Sequence, residues 1–392
     1  MIIERELYPK IERLIKGREA IVILGMRRVG KTTLLKYIME RIESDNKVYI
    51  DLENPASRKI FDEEDYDRIY NNLLFYGIES GSQSYVFLDE IQLVKNIPQI
   101  IKYLIDHYRI KFFLTGSAGY YLRNLFSESL SGRKYIFELM PFSFSEFLKL
   151  KGAEMNTSLI GKSKVTEAIY EKIERYYEEY ILYGGMPDVI SKEHIEEKKG
   201  IINDIFTSYF NMEITRLGDF KKLDMIRDLI FLLISRTGSK LDINKISSEL
   251  GVSRETVSNY ISFLEKTFFI KLISPFTKNR DVEIKSQKKV YICDTGFINE
   301  FGRVSEGAVF ENAVFLSIYR IGDVNYYQKK SGVEIDFILN KEIAYEVKIT
   351  PTLSDLKRLD RLKKELRLKD YYIVSRRFSE LDRVKYGFEL RE

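Results

Sequence analysis

The chain is 392 residues long and carries 63 Lys and Arg against 59 Asp and Glu, a net charge of +4. That length is too great for one compact core and predicts roughly two to four domains, while so balanced a charge confines any nucleic-acid surface to a local patch. One cysteine, Cys293, and two histidines, His107 and His194, exclude a disulfide framework, a thiolate zinc site and a histidine metal cluster, so a metal would sit on oxygen ligands, as Mg2+ or Mn2+ does.

Up to about Phe144, apolar strands at 20–24, 47–51, 85–88 and 111–115 alternate with helical patterns at 31–43, 60–76 and 97–108. Such alternation predicts a parallel sheet with helices on both faces. Between the first strand and helix stands Gly25-Met26-Arg27-Arg28-Val29-Gly30-Lys31-Thr32, which reads G-x-x-x-x-G-K-T. The glycines let backbone N–H groups close around phosphate oxygens, and the helix N-terminus favours negative charge. Lys31 would reach the outer phosphates of a nucleotide and the Thr32 hydroxyl would hold Mg2+, with Thr33 beside it. Tyr85-Val86-Phe87-Leu88-Asp89-Glu90 is an apolar strand ending in two acids. Asp89 is expected to hold Mg2+, and Glu90 to orient and deprotonate an attacking water. The nucleotide-contacting set is therefore Gly25, Gly30, Lys31, Thr32, Thr33 and Asp89, joined by Thr115 or Ser117 at the tip of the strand at 111–115. Leu130-Ser131-Gly132-Arg133 is a turn on which Arg133 would serve as an arginine finger toward a neighbouring subunit.

Residues 145–235 show helical periodicity, broken at Gly184-Gly185-Met186-Pro187. Residues 242–250, the turn Gly251-Val252-Ser253 and residues 254–264 then read as a winged helix-turn-helix, with Ser253 as the second N-cap. Arg254, Glu255, Ser258 and Asn259 would face a DNA groove, and Val257, Tyr260, Ile261 and Leu264 the core.

The last stretch reads as a helix at 310–316, strands at 324–328, 333–339 and 343–348, a helix at 353–366 and a strand at 371–374. Strand periodicity puts Glu334 and Asp336 on one face and Glu346 and Lys348 on one face. Carboxylates within apolar strands are costly unless paired or metal-bound. Asp336 and Glu346, with Glu311 from the helix, would make a divalent-cation site, and Lys348 would orient water or neutralise phosphate, an assembly suited to phosphodiester hydrolysis.

End to end, the chain resembles archaeal and bacterial AAA-like P-loop ATPases that carry a C-terminal DUF4143-type domain. The carrying residues are the loop at 25–32, Phe87 to Gln92, Leu114 to Ser117, Ser131 to Arg133, Pro141 to Phe147, and Gly332 to Phe337 with Glu346-Val347-Lys348. The resemblance implies an α/β protein: a parallel-sheet, additional-strand P-loop ATPase core at 1–144, a helical lid at 145–235, a winged helix-turn-helix at 236–276, and an α/β restriction-endonuclease-like domain at 277–392. By that pattern Asp336, Glu346 and Lys348 match the nuclease motif and Glu311 its helical acid; no Pro-Asp dipeptide precedes them. The implied cofactors are ATP and Mg2+. The implied partners are DNA, further copies of the chain, or another protein. Two readings follow: an ATPase coupled to DNA binding and Mg2+-dependent cleavage, or a nucleotide switch that binds DNA or a protein without cutting. No apolar signal segment opens the chain and no apolar run is long enough for a bilayer, so a soluble, cytoplasmic protein without a membrane partner is expected.

Overall fold

The computed structural model describes residues 2–94, 96–117, 132–153, 155, 160–161, 164–215, 220, 222–277, 286–329 and 331–391. Leu130 and Ser131, read above with Arg133, lie outside them. The chain packs as two compact units, one of Met1–Pro141 with Ser208–Asp219 and Lys266–Phe268, the other of Phe142–Thr207, Phe220–Glu265 and Phe269–Glu392.

The first unit is built on strands β1 (Ala20–Leu24), β2 (Lys47–Asp51), β3 (Ser84–Asp89), β4 (Ile110–Gly116) and β5 (Lys134–Glu138). They form one parallel sheet in the order β2-β3-β4-β1-β5, so β4 is inserted between β1 and β3. β1 and β4 are buried along their whole length, as the inner strands of a covered parallel sheet must be. Around the sheet lie helices α1 (Lys31–Arg41), α2 (Tyr66–Phe75) and α3 (Ile97–His107). One expectation needs correction, and one strand was not foreseen. The helix expected over 60–76 is split: short turns at Pro55–Arg58 and Lys59–Phe61 precede α2, which starts where the Asp65 side chain accepts from Asp67 N–H. β5 was not expected as a strand; its exposed outer residues break the apolar run that marks the inner strands, yet it pairs with β1 in register Ala20 to Lys134. All five strands point the same way. The glycine loop after β1, the acids closing β3 and Ser117 after β4 therefore meet at one edge, the usual ligand edge of such sheets.

The second unit opens with helices that include α4 (Glu167–Tyr183), α5 (Leu223–Ser235), α6 (Ile243–Leu250) and α7 (Arg254–Lys266). Asp242 caps α6 by accepting from Lys245 N–H at 3.0 Å; Gly251 ends it at φ 63°, and Ser253 caps α7 by accepting from Thr256 N–H at 3.1 Å. β6 (Ile270–Ile273) and β7 (Lys289–Ile292) follow as an antiparallel pair, so the ladder runs past the boundary expected at 276. Ser208–Asp219, expected within the lid, clusters instead with the first unit.

Helices α8 (Thr295–Phe301) and α9 (Glu306–Ile321) lead into a second sheet. Its strands are β8 (Val324–Gln328), β9 (Glu334–Leu339), β10 (Ile343–Lys348), β11 (Asp370–Ser375) and β12 (Val384–Tyr386), with α10 (Leu353–Leu366) between β10 and β11. The order is β12-β11-β10-β9-β8, antiparallel among β8, β9 and β10 and parallel beyond. Ile335, Ile338, Ala344 and Ile373 of the sheet pack on Leu359 and Leu362 of α10. The helix read over 310–316 extends in both directions, beginning where Ser305 caps Ala308 N–H. β12, three residues long, gave no periodic signal.

One buried acid ties this unit together. Asp294 accepts from the N–H groups of Gly185 and Gly296 at 2.7 and 2.9 Å. Gly184 adopts φ 80°, and a Cβ there would collide with the Asp294 carboxylate. Burial pushes Asp294 up to about 7 from an ordinary 3.8.

Candidate functional site

The glycine loop is held open by its own conformation. Gly30 sits at φ 94° as the N-cap of α1, a region glycine enters without strain. A Cβ on Gly25 would collide with the carbonyl of Leu139. Arg5 clamps the loop from the N-terminal arm, donating to Val29 O at 2.9 Å and Met140 O at 2.7 Å. Lys31 is 4% exposed, and its ammonium donates to the loop carbonyls of Gly25 (3.1 Å) and Met26 (3.0 Å). Burial lowers its pKa, opposed by Glu90, Glu213 and Asp89. Thr33 is exposed on the first turn of α1.

Asp89 gathers three hydroxyls. Thr32 donates to Oδ2 at 2.6 Å, Tyr49 of β2 donates to the same oxygen at 2.8 Å, and Thr115 donates to Oδ1. Burial and the Asp89 charge push the Tyr49 phenol well up, so it stays a donor. Glu90 follows at φ 56°, a conformation that costs a non-glycine residue roughly 1 kcal/mol or more and is kept only where surroundings fix it. They do: its N–H donates to Thr115 Oγ1 at 3.2 Å, and its carboxylate accepts from the Gln92 amide and from Ser117 Oγ at 3.4 Å. Gln92 also donates to Ser117 at 2.9 Å. Thr115 thus joins the Asp89 carboxylate to the Glu90 backbone, and Ser117 serves the Glu90 carboxylate.

The residues fit a nucleotide with Mg2+. The loop is a cradle that a Cβ at Gly25 would spoil, its lysine is buried among carbonyls, and a hydroxyl and a carboxylate already touch where a cation needs two oxygens. Sequence reasoning missed four residues here. Tyr49 and Gln92 lie one strand and two residues from the acids it found. Arg27 lies inside the motif at an unrestricted position. Glu213 comes from a π-helical turn, Phe210–Thr215, with no motif to mark it, and lies 3.7 Å from Arg27 Nε. Burial raises the Glu213 pKa.

Arg133 lies elsewhere. It precedes β5 at the opposite end of the sheet from the loop, and its guanidinium pairs with Asp106 at 2.6 Å.

In the second unit, Glu311, Asp336, Glu346 and Lys348 come together with residues not foreseen. Lys289 at the start of β7 pairs with Glu334 and lies 3.7 Å from Glu311. Tyr291 donates to Glu311 at 2.8 Å. Lys348 and Arg358 of α10 both reach Glu346 Oε1. Asp336 Oδ2 accepts from Val347 N–H at 2.7 Å. Burial, then the charges of Glu346 and Glu311, hold the Asp336 carboxyl far above the ordinary range. Burial works to lower Lys289, but Glu311, Asp336 and Glu334 outweigh it and the net shift is upward. As arranged, the set does not fit the divalent ion expected on Glu311, Asp336 and Glu346. Among the described residues no three His, Cys, Asp or Glu side chains gather closely enough to hold an ion. Lys289, Lys348 and Arg358 supply the neutralising charge that a metal would bring.

On α7, Arg254, Glu255, Ser258 and Asn259 are exposed, whereas Val257, Tyr260, Ile261 and Leu264 are buried.

Residues 17–148 match the AAA domain family AAA_14. Residues 174–306 and 301–387 match two domains of unknown function, DUF8612 and DUF4143. The matches support an AAA-type nucleotide-binding ATPase domain followed by a DUF4143 domain. An uncharacterized protein of Methanocaldococcus jannaschii is 28% identical over 88% of this chain and 79% of its own. An uncharacterized protein of Haemophilus influenzae is also 28% identical, over 88% of this chain and 86% of its own. Among solved structures, Drosophila ORC bound to AT-rich DNA and Cdc6 is 10% identical with a TM-score of 0.25, over 75% of this chain and 88% of that one; a likeness at that score carries no argument. No helix among the described residues is long and apolar enough to cross a membrane.

Proposed function

We propose that the chain is an ATP-hydrolysing switch whose second unit binds DNA without cutting it. The observation that carries the ATPase reading is the network joining Thr32, Asp89, Thr115, Glu90, Gln92 and Ser117 beside Lys31. Lys31 would turn from the loop carbonyls to phosphate oxygens. Thr32 and Asp89 would hold Mg2+, which supplies charge neutralisation at the phosphates. Glu90, fixed by Gln92 and Ser117, would orient water and accept its proton. Residues 236–276, with the β6–β7 pair, act as the winged helix, and Arg254, Ser258 and Asn259 contact DNA. The acids of the second sheet are paired with Lys289, Lys348 and Arg358, so their charge is balanced from within. The test is phosphate release from ATP by wild type, Lys31→Ala and Glu90→Gln. Turnover by Glu90→Gln equal to wild type removes Glu90 from the mechanism.

A second reading is DNA cleavage at Asp336, Glu346 and Lys348, which would require Glu346 to leave Lys348 and Arg358 before the carboxylates could take Mg2+. One observation favours it: Glu346 Oε2 is buried without a hydrogen-bond partner. Incubating single-stranded, duplex and branched DNA with Mg2+ or Mn2+, with and without ATP, decides between the two. Cleavage by wild type that Asp336→Ala abolishes establishes the nuclease; no cleavage of any substrate leaves the switch that binds without cutting.

A further inference from the structure

Glu213 is an acid that is 1% exposed, set where the cations of the first unit converge. Its Oε1 lies 3.7 Å from Arg27 Nε in the glycine loop, and Lys31, Ser117 and Glu90 are its other neighbours. Its Oε2 is buried and accepts no hydrogen bond, and Arg27 Nε donates none. A half-satisfied buried carboxylate next to a second one, Glu90, is unfavourable as packing, and an uncharged side chain of the same volume would serve packing better. The groups around it point to another role. Arg27, which also pairs with Glu53 Oε1 at 3.3 Å, the loop lysine and Ser117 at the tip of β4 surround the carboxylate, and these are the residue types and loop positions that would meet an outer phosphate once Lys31 turned from its loop carbonyls.

We infer that Glu213 stands in for the terminal phosphate of a nucleoside triphosphate. Its carboxylate fills the anion site among Arg27, Lys31 and Ser117. A triphosphate must displace it, because two anions cannot share that site, whereas a diphosphate leaves it in place. Glu213 therefore sets how strongly the cradle prefers one nucleotide over the other, and entry of ATP moves the Phe210–Thr215 turn. The inference rests on the nucleotide reading given above.

The test is titration of wild type, Glu213→Gln and Glu213→Ala with a non-hydrolysable ATP analogue and with ADP, taking Lys31→Ala as the control. Both Glu213 variants are expected to bind the triphosphate about tenfold tighter or more, within the ordinary range for coupled sites, and ADP within about twofold of wild type. Gln keeps the shape of the side chain, and its unfolding midpoint checks that the variant folds. Unchanged triphosphate affinity in both variants overturns the inference, as does weaker binding, which would make Glu213 a ligand of the nucleotide. In either case, binding that Lys31→Ala abolishes leaves the cradle reading intact. If no chain binds either nucleotide, that reading falls and takes the inference with it.

Discussion

The Thr32 hydroxyl donates to Asp89 Oδ2 at 2.6 Å, joining the first turn of α1 to the end of β3. The two groups expected to share a cation are bonded to each other, so cation entry exchanges one contact for another. Mg2+ with ATP is expected to raise the unfolding midpoint of wild type, and Mg2+ alone to leave it unchanged. Asp89→Ala strands the hydroxyls of Thr32, Tyr49 and Thr115, at roughly 1–3 kcal/mol for an unsatisfied buried group. It should also lose the stabilisation by Mg2+ and ATP. Thermal unfolding of both chains measures this, and retained stabilisation in Asp89→Ala would remove that carboxylate from the cation site.

Tyr49→Phe removes one of three donors to Asp89 and leaves the carboxylate satisfied by Thr32 and Thr115. Its expected effect on stability is small, about 1 kcal/mol. A much larger loss in urea unfolding would mean that the phenol organises the site rather than trimming it.

On α7, Arg254 is exposed at the N-terminal end, where a recognition helix meets a groove. Arg254→Ala should weaken DNA binding and reduce the slope of log affinity against log salt by about 1. An affinity unchanged across salt concentrations would assign this face to a protein partner.

Asp294 makes the second unit sensitive to pH. Its folded pKa is raised to about 7 from 3.8, so the folded chain holds the proton more tightly than the unfolded one. This contribution is complete below about pH 4 and is lost as pH rises through about 7. Urea unfolding should show Asp294→Asn with a flatter decline than wild type between pH 5 and 8. The variant should also be less stable at acid pH, since Gly185 and Gly296 donate to different oxygens of Asp294 and an amide NH2 would replace one of them. Parallel pH profiles for the two chains would count against Asp294.

The sequence revealed those parts of the molecule that local chemistry dictates. The glycine loop, β1, β3 and β4 announce themselves because buried parallel strands are apolar throughout and the loop needs its glycines. β5 hid because an edge strand exposes Tyr135 and Ile136 and carries charge at both ends. Asp89 and Glu90 were legible from a strand that ends in acids, but Gln92, which holds Glu90, looks like any turn residue. Glu213 could not be read at all, because nothing in a π-helical turn far along the chain marks a contact with Arg27. The acids of β9 and β10 were visible by their period of two. The cations that neutralise them were not, since Lys289 and Arg358 belong to other elements.

Arg133 has a consequence for the order of the reaction. Its carbonyl accepts from Ala20 N–H at 2.8 Å, level with the start of β1, whereas the glycine loop follows the end of that strand. At about 3.3 Å per residue the two are separated by about 20 Å, beyond the reach of an arginine side chain. If Arg133 serves as an arginine finger, it cannot act on the cradle of its own chain. Turnover would then be second order in protein, and specific activity would climb as the chain is concentrated. Two chains that are each silent, Lys31→Ala and Arg133→Ala, would regain activity when mixed, the first lending its arginine to the intact cradle of the second.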